Sequence, residues 1–205
     1  IGVMSGTSLD GVDTVLVDFG SSAPVLLLTF FCAYDEQLRE QLLSLHQPGH
    51  DELNRAAILS NQLSCLYAQA TAGLLENAGI APQQIVAIGC HGQTVRHCPE
   101  VGRNYTIQLV NGALLAELTQ ITVVADFRSR DIAAGGQGAP LVPAFHDAVF
   151  KHPDCHRVIV NIGGIANITS LDPSHPIIGF DCGPGNLLMD AWCLRHTGKT
   201  YDNNG

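Results

Sequence analysis

Apolar and polar residues alternate at the start of the chain. "IGVMSG" and "VDTVLVDF" predict two short strands, Ile1–Met4 and Val12–Phe19, with Val15, Val17 and Phe19 alternating against Thr14, Leu16 and Asp18. Asp10-Gly11 between them is a hairpin signal, because glycine takes a positive φ without a Cβ clash. "PVLLLTFFCAY" over 24–34 is apolar almost throughout, as a buried third strand is. The period then changes. Asp35–His46 predicts a helix. A longer one follows, capped by Asp51 and stopped at Gly79, with Ala56, Leu59, Leu63, Leu66, Ala70 and Leu74 at steps of three and four.

Beyond Gly79, strands and helices alternate. Ile85–Cys90 predicts a buried strand that carries "HGQTVRH" at its carboxyl end. A strand at Tyr105–Leu109, a helix from Asn111 and the strand "ITVVAD" ending at Asp126 come next, then a Gly-rich loop, "FRSRDIAAGGQGAPLVP". "RVIVNIGGIANITSL" repeats the strand–glycine–strand pattern of the opening. "IIGF" runs into "DCGPGN" and a final helix with Leu188, Ala191 and Trp192 on its apolar face, ending at Gly198. This order predicts an α/β fold, a mixed sheet with flanking helices. A first domain is expected over 1–156 and the beginning of a second over 157–205.

Composition narrows the partners. With 205 residues, 46% hydrophobic and 14% charged, the chain reads as globular. A net charge of −9 argues against a nucleic-acid partner, which needs clustered Lys and Arg, yet leaves room for a small phosphorylated ligand. No apolar run approaches the ~20 residues of a membrane span, so no membrane partner is expected. Seven scattered cysteines form no CxxC pair, which makes a reducing cytoplasm the expected setting.

The opening turn fails as a P-loop, since no Lys follows and the chain returns as a strand; a dinucleotide fingerprint fails for the same reason. Two readings remain: a plain hairpin, or a nest in which Gly6, Thr7 and Ser8 donate to phosphate oxygens. Asp10 and Asp13 would repel a bare phosphate, and make sense there with a divalent cation between. His91, Gln93 and Thr94 offer hydrogen bonds to a sugar, or form a capped turn. Cys90, His91, His97 and Cys98 match no ordinary zinc spacing. Arg128 and Arg130, two apart in extended chain, would share a face and suit a carboxylate or phosphate. Asp181, at a strand end before Gly-Pro-Gly-Asn and a helix, is either a general base or the cap of that helix. Gly163-Gly164 supplies a second backbone open to close approach.

Five motifs, "IGVMSGTSLDGVD", "HGQTVRH", "DFRSRDIAAGGQGAPLVP", "NIGGIANIT" and "GFDCGPGN", together resemble the anhydro-N-acetylmuramic acid kinase family. That family sits in the superfamily of acetate and sugar kinases, heat-shock-70 proteins and actin. The resemblance implies an actin-like ATPase (ribonuclease H-like) fold. It implies ATP-dependent opening of the 1,6-anhydro ring of 1,6-anhydro-N-acetylmuramic acid and phosphorylation at O6, in cell-wall recycling. By the same resemblance Asp181 is the catalytic base. Gly6, Thr7, Ser8, Leu9, Asp10, Gly11, Val12 and Asp13, with Gly163 and Gly164, serve the ATP phosphates, and Mg²⁺ sits near Asp10. His91, Gln93, Thr94, Arg128, Arg130 and Asn186 are the sugar-side contacts. The anhydro amino sugar and ATP are the expected partners, and a homodimer is left open. Cys182 stands where the family pattern leads one to expect Thr. Family chains are longer, so a fragment, incomplete as a catalyst, is expected. Three other readings stay open at this point: another sugar or acyl kinase of the same fold, a nucleotide- or sugar-binding module without catalysis, and a metal-dependent hydrolase using His91, His97 and a nearby Asp.

Overall fold

The computed structural model describes residues 1–203 except 22, 101 and 103; the last two residues of the expected second domain lie outside the described residues. The chain divides into two compact units, Ile1–Gln137 and Gly138–Gly205.

In the first unit, β1 (Gly2–Ser5), β2 (Gly11–Asp18) and β3 (Val25–Ala33) form an antiparallel run. Two helices follow, α1 (Glu36–Ser44) and α2 (Glu52–Ala78). Then come β4 (Ile88–Cys98), β5 (Tyr105–Leu109), α3 (Gly112–Thr119), the two-residue β6 (Val123–Val124) and α4 (Phe127–Ala133). The sheet order is β3-β2-β1-β4-β5, with β6 also on β4. β4 is parallel to β1 and β6 but antiparallel to β5, so the sheet is mixed as expected.

Helix α2 supplies most of the cover. Leu59, Leu63, Tyr67, Ala70 and Leu74 recur at helical spacing, and all are buried against β2, β3 and β5. Each fully buried leucine contributes about 1.5–3 kcal/mol. Gly79 ends the helix at φ 65°, where its N–H and that of Ile80 satisfy the Glu76 and Leu75 carbonyls. Asp51 departs from the expected cap. It is left-handed at φ 53°, and its carboxylate accepts from the Asn54 amide side chain rather than from a helix N–H.

Three further expectations are corrected. The strand at 85–90 instead spans Ile88–Cys98, so "HGQTVRH" lies within β4 and not in a loop after it. The strand persists because its far half finds a new antiparallel partner in β5. Residues 127–133 are helix α4 rather than loop. Two positions two apart on a helix lie roughly 200° apart, so Arg128 and Arg130 do not share a face. In the opening hairpin it is Leu9, not Gly11, that takes the positive φ, at 54°. Gly11 is required for a different reason: a Cβ there would collide with the Cys32 carbonyl and the Phe31 ring of β3.

The second compact unit spans Gly138–Gly205. It includes α5 (Pro143–Phe150), because buried His146 bonds through Nδ1 to Thr169 Oγ1 at 2.8 Å and Pro143 crowds Gly179. β7 (Arg157–Ile162), β8 (Ile165–Leu171) and β9 (Ile178–Pro184) make an antiparallel sheet, and α6 (Leu187–Thr197) follows. The expected apolar face of α6 is not buried. Leu188 and Trp192 are more than 60% exposed, the Trp192 ring lies tilted at 40° against that of His196 with centroids 4.2 Å apart, and Cys193 is the side chain that packs inward.

Candidate active site

In the first unit the candidate site is built on the turn between β1 and β2. Leu9 anchors it: its side chain is buried in the core, and its N–H donates to the Gly6 carbonyl at 3.3 Å. Thr7 and Asp10 are exposed on the turn's outer side, and Ser8 Oγ donates to Asp10 Oδ1 at 2.5 Å. The Asp10 carbonyl accepts from the Tyr34 N–H at 2.9 Å, which ties the turn to the end of β3. Val12 is fully buried and Gly11 is wedged against β3, so both support the turn rather than face a ligand. The Asp13 carboxyl is pushed up from its ordinary value, first by burial and then by the charge of Asp10. That mutual repulsion fits a divalent cation, which binds through one or two carboxylates plus phosphate oxygens.

β4 runs beside this turn, with Ser5 in register with Gln93. Gly92 marks the place where β4 exchanges β6 for β5. It takes φ 76°, and a Cβ there would lie 2.8 Å from the Leu109 carbonyl. His91 is fully engaged. Arg128 Nε donates to His91 Nε2 at 2.8 Å, and His91 Nδ1 donates to the Gly92 carbonyl at 2.7 Å. Burial and the Arg128 charge hold its pKa below the ordinary histidine value, against a smaller opposing pull from the Gly92 carbonyl. The ring is thus a neutral acceptor that fixes a guanidinium. Thr94 Oγ1 accepts from Gln108 Nε2 at 3.1 Å. Arg130 is exposed on α4.

Gln93 is not at the surface. It is 0% exposed, donates from Nε2 to the Gly6 carbonyl at 3.0 Å, and accepts at Oε1 from the Tyr34 hydroxyl at 3.3 Å. Beside it the Ser5 and Tyr67 hydroxyls lie 2.8 Å apart, both buried. Burial raises the pKa of both tyrosines, that of Tyr67 well above the ordinary value. Ser5, Tyr34 and Tyr67 escaped sequence reasoning. The available signal was a tyrosine on the apolar stripe of α2, where a hydroxyl must find a buried partner.

The metal-hydrolase reading does not survive this geometry. Both His91 nitrogens are committed, and His97 lies six positions further along β4, roughly 20 Å away. Among the described residues no three His, Cys, Asp or Glu side chains gather as a metal cage. A cavity of about 360 Å³ is lined by residues of α1 and α2, including Gln37, Gln41, Gln62 and Gln69, and by none of the candidate site residues.

In the second unit, Asp181 is exposed on β9, in register with Asn167 of β8. It lies inside the strand rather than at its end, and the helix begins only at Leu187, so it is not the helix cap. Asn186 holds the cap position without a side-chain capping bond. The turn at Gly163 and Gly164 turns its carbonyls toward the start of α6, accepting from Asn186 N–H at 2.9 Å and Gly185 N–H at 2.8 Å. Asn167 Oδ1 and Asn186 Oδ1 are buried without a hydrogen-bond partner. Asn167 is a further polar group beside Asp181 that its motif contained but sequence reasoning did not single out.

Comparison with known proteins adds a decisive observation. The family described as anhydro-N-acetylmuramic acid kinase matches residues 1–205. The chain belongs to that family. Its fold is accordingly the actin-like ATPase fold expected from the motifs. Relatives named anhydro-N-acetylmuramic acid kinase share 68% identity in Nitrosomonas europaea, 64% in Nitrosospira multiformis and 61% in Thiobacillus denitrificans. In each case all of this chain is aligned, against 56%, 56% and 54% of the relative. The chain therefore spans about half the length of the curated relatives it matches.

Proposed function

We propose that this chain is part of an ATP-dependent kinase that opens the 1,6-anhydro ring of 1,6-anhydro-N-acetylmuramic acid and phosphorylates O6. The observation that carries this reading is the family match across the whole chain, with all five motifs inside it. In the step proposed, water attacks the anomeric carbon and the bond from that carbon to the bridging oxygen breaks. The freed O6 takes the γ-phosphoryl group, ADP leaves, and Asp181 accepts the proton of the attacking water. The products are N-acetylmuramic acid 6-phosphate and ADP, with one proton released to solvent.

The first unit supplies the phosphate turn, Gly6 to Asp13. Phosphoryl transfer needs positioning and charge neutralisation more than covalent chemistry from the protein. Asp10, with Asp13 near it, is the group that would hold Mg²⁺, which neutralises phosphate charge when bound. His91 presents Arg128 as a fixed fork for the lactyl carboxylate, and Thr94 and Arg130 are further sugar-side candidates. The second unit supplies Asp181, the turn at Gly163 and Gly164, and Asn186. All seven cysteines are free, which supports a reducing, cytoplasmic setting, and no helix among the described residues is long and apolar enough to cross a membrane.

Asp181→Asn in the full-length protein tests the assignment. The expected result is a kcat lower by about 10²–10⁴ with the affinity for the anhydro sugar kept. Unchanged turnover refutes the base role.

A further inference from the structure

The peptide between Gly6 and Thr7 is held in a way that its ligand chemistry explains. A trans peptide keeps its carbonyl and N–H on opposite sides of one rigid plane. The Gly6 carbonyl faces inward and accepts twice, from Gln93 Nε2 at 3.0 Å and from the Leu9 N–H at 3.3 Å. Both lone pairs are then used, and the Thr7 N–H is directed the opposite way, on an exposed residue.

Gln93 can fix that plane only if its own amide is fixed. A carboxamide oxygen can only accept, so the Tyr34 hydroxyl at 3.3 Å must donate to Oε1. The amino end is left facing Gly6. The Ser5 and Tyr67 hydroxyls complete a buried polar group under the turn, where every unmet bond would be costly. Such a group is an expensive way to support a plain hairpin, which needs only its own turn bond.

We infer that Gln93, oriented by Tyr34, is the positioning residue that aims the Thr7 N–H at a nucleotide phosphate. Gln93 does not touch the ligand; it acts through the Gly6–Thr7 peptide. The inference rests on the reading that this turn binds ATP.

The test measures ATP affinity of the full-length protein by calorimetry, separately from turnover, so the identity of the sugar does not enter. Gln93→Met keeps the length of the side chain but removes the donor. Its Kd for ATP should rise about tenfold, with sugar affinity within about twofold of wild type and the melting temperature reported alongside. Tyr34→Phe, the milder change, should raise Kd for ATP about threefold and leave the sugar unaffected. Folded Gln93→Met and Tyr34→Phe proteins that both bind ATP as wild type does overturn the inference alone. A loss of ATP and sugar affinity in equal proportion also overturns it, since that marks a merely structural role. A wild-type protein that binds no ATP overturns the reading of the turn and the inference with it.

Discussion

At the scale of single residues, the surroundings of His91 set a pH dependence. Its pKa is lowered in the folded protein from 6.5, by burial first and the Arg128 charge second. Between the lowered value and 6.5 the unfolded chain binds more protons than the folded one, so stability rises with pH through that window and levels off above it. Urea midpoints measured between about pH 7.5 and 5.5 should fall toward the acid end, and His91→Gln should flatten that slope. A wild-type slope that His91→Gln leaves unchanged assigns the effect elsewhere. Gly11→Ala should cost about 1–3 kcal/mol in denaturant unfolding, because the Cβ meets a backbone carbonyl that cannot swing aside. At this scale the sequence announced the right glycine for the wrong reason. Its φ is ordinary, and the strain of the turn falls on Leu9, whose burial holds it there. Gln93 was legible as chemistry but not as direction, because the side of β4 it faces depends on where β1 and β5 pair.

Elements were read best where periodicity was long. α2 needs little beyond its own apolar spacing, whereas the first strands do not follow theirs: Val12, Thr14 and Leu16 of β2 are buried while Val15 and Val17 are only partly so and Phe19 is exposed. β3 lies at the sheet edge with no fully buried residue, not the buried run that its apolar sequence suggests. β4 and α4 were misread, because their states are decided by partners distant in sequence: β5 extends β4 past Cys90, and α4 forms in a stretch whose glycines suggested loop. The caps of α3 and α2 differ energetically. Asn111 Oδ1 accepts from the Leu114 N–H at 3.0 Å, and Asn111→Ala should destabilise the protein by about 1 kcal/mol. Asp51 makes no such bond and sits left-handed, so Asp51→Gly should be neutral or stabilising within about 1 kcal/mol. Thermal or urea melts of the two variants decide the contrast.

At the scale of the whole molecule, the two units differ in how well they are closed. The buried hydrophobic cluster, from Val3 to Ile121, belongs to the first unit. The second leaves Val158, Val160, Ile162, Ile178 and Phe180 of its sheet about half exposed or more. Limited proteolysis of the 205-residue chain should therefore cut first within 138–205 and leave a resistant product close to Ile1–Gln137, identified by intact mass. Early cleavage inside α2 or β4 would contradict this ordering. Family and fold class were legible because five motifs span both units. The packing of α5 on β8 was not, because it depends on His146 meeting Thr169, 23 residues further along the chain.

The central claim is the coupled ring opening and phosphorylation. It is tested most directly by giving the full-length protein Mg-ATP and 1,6-anhydro-N-acetylmuramic acid in ¹⁸O-labelled water, followed by ³¹P NMR and mass spectrometry. The account predicts a new sugar phosphomonoester and ADP, with the label at the anomeric hydroxyl and none in the phosphate. ATP hydrolysis without a sugar phosphate, or turnover of acetate or a simple hexose in place of the anhydro sugar, would contradict it.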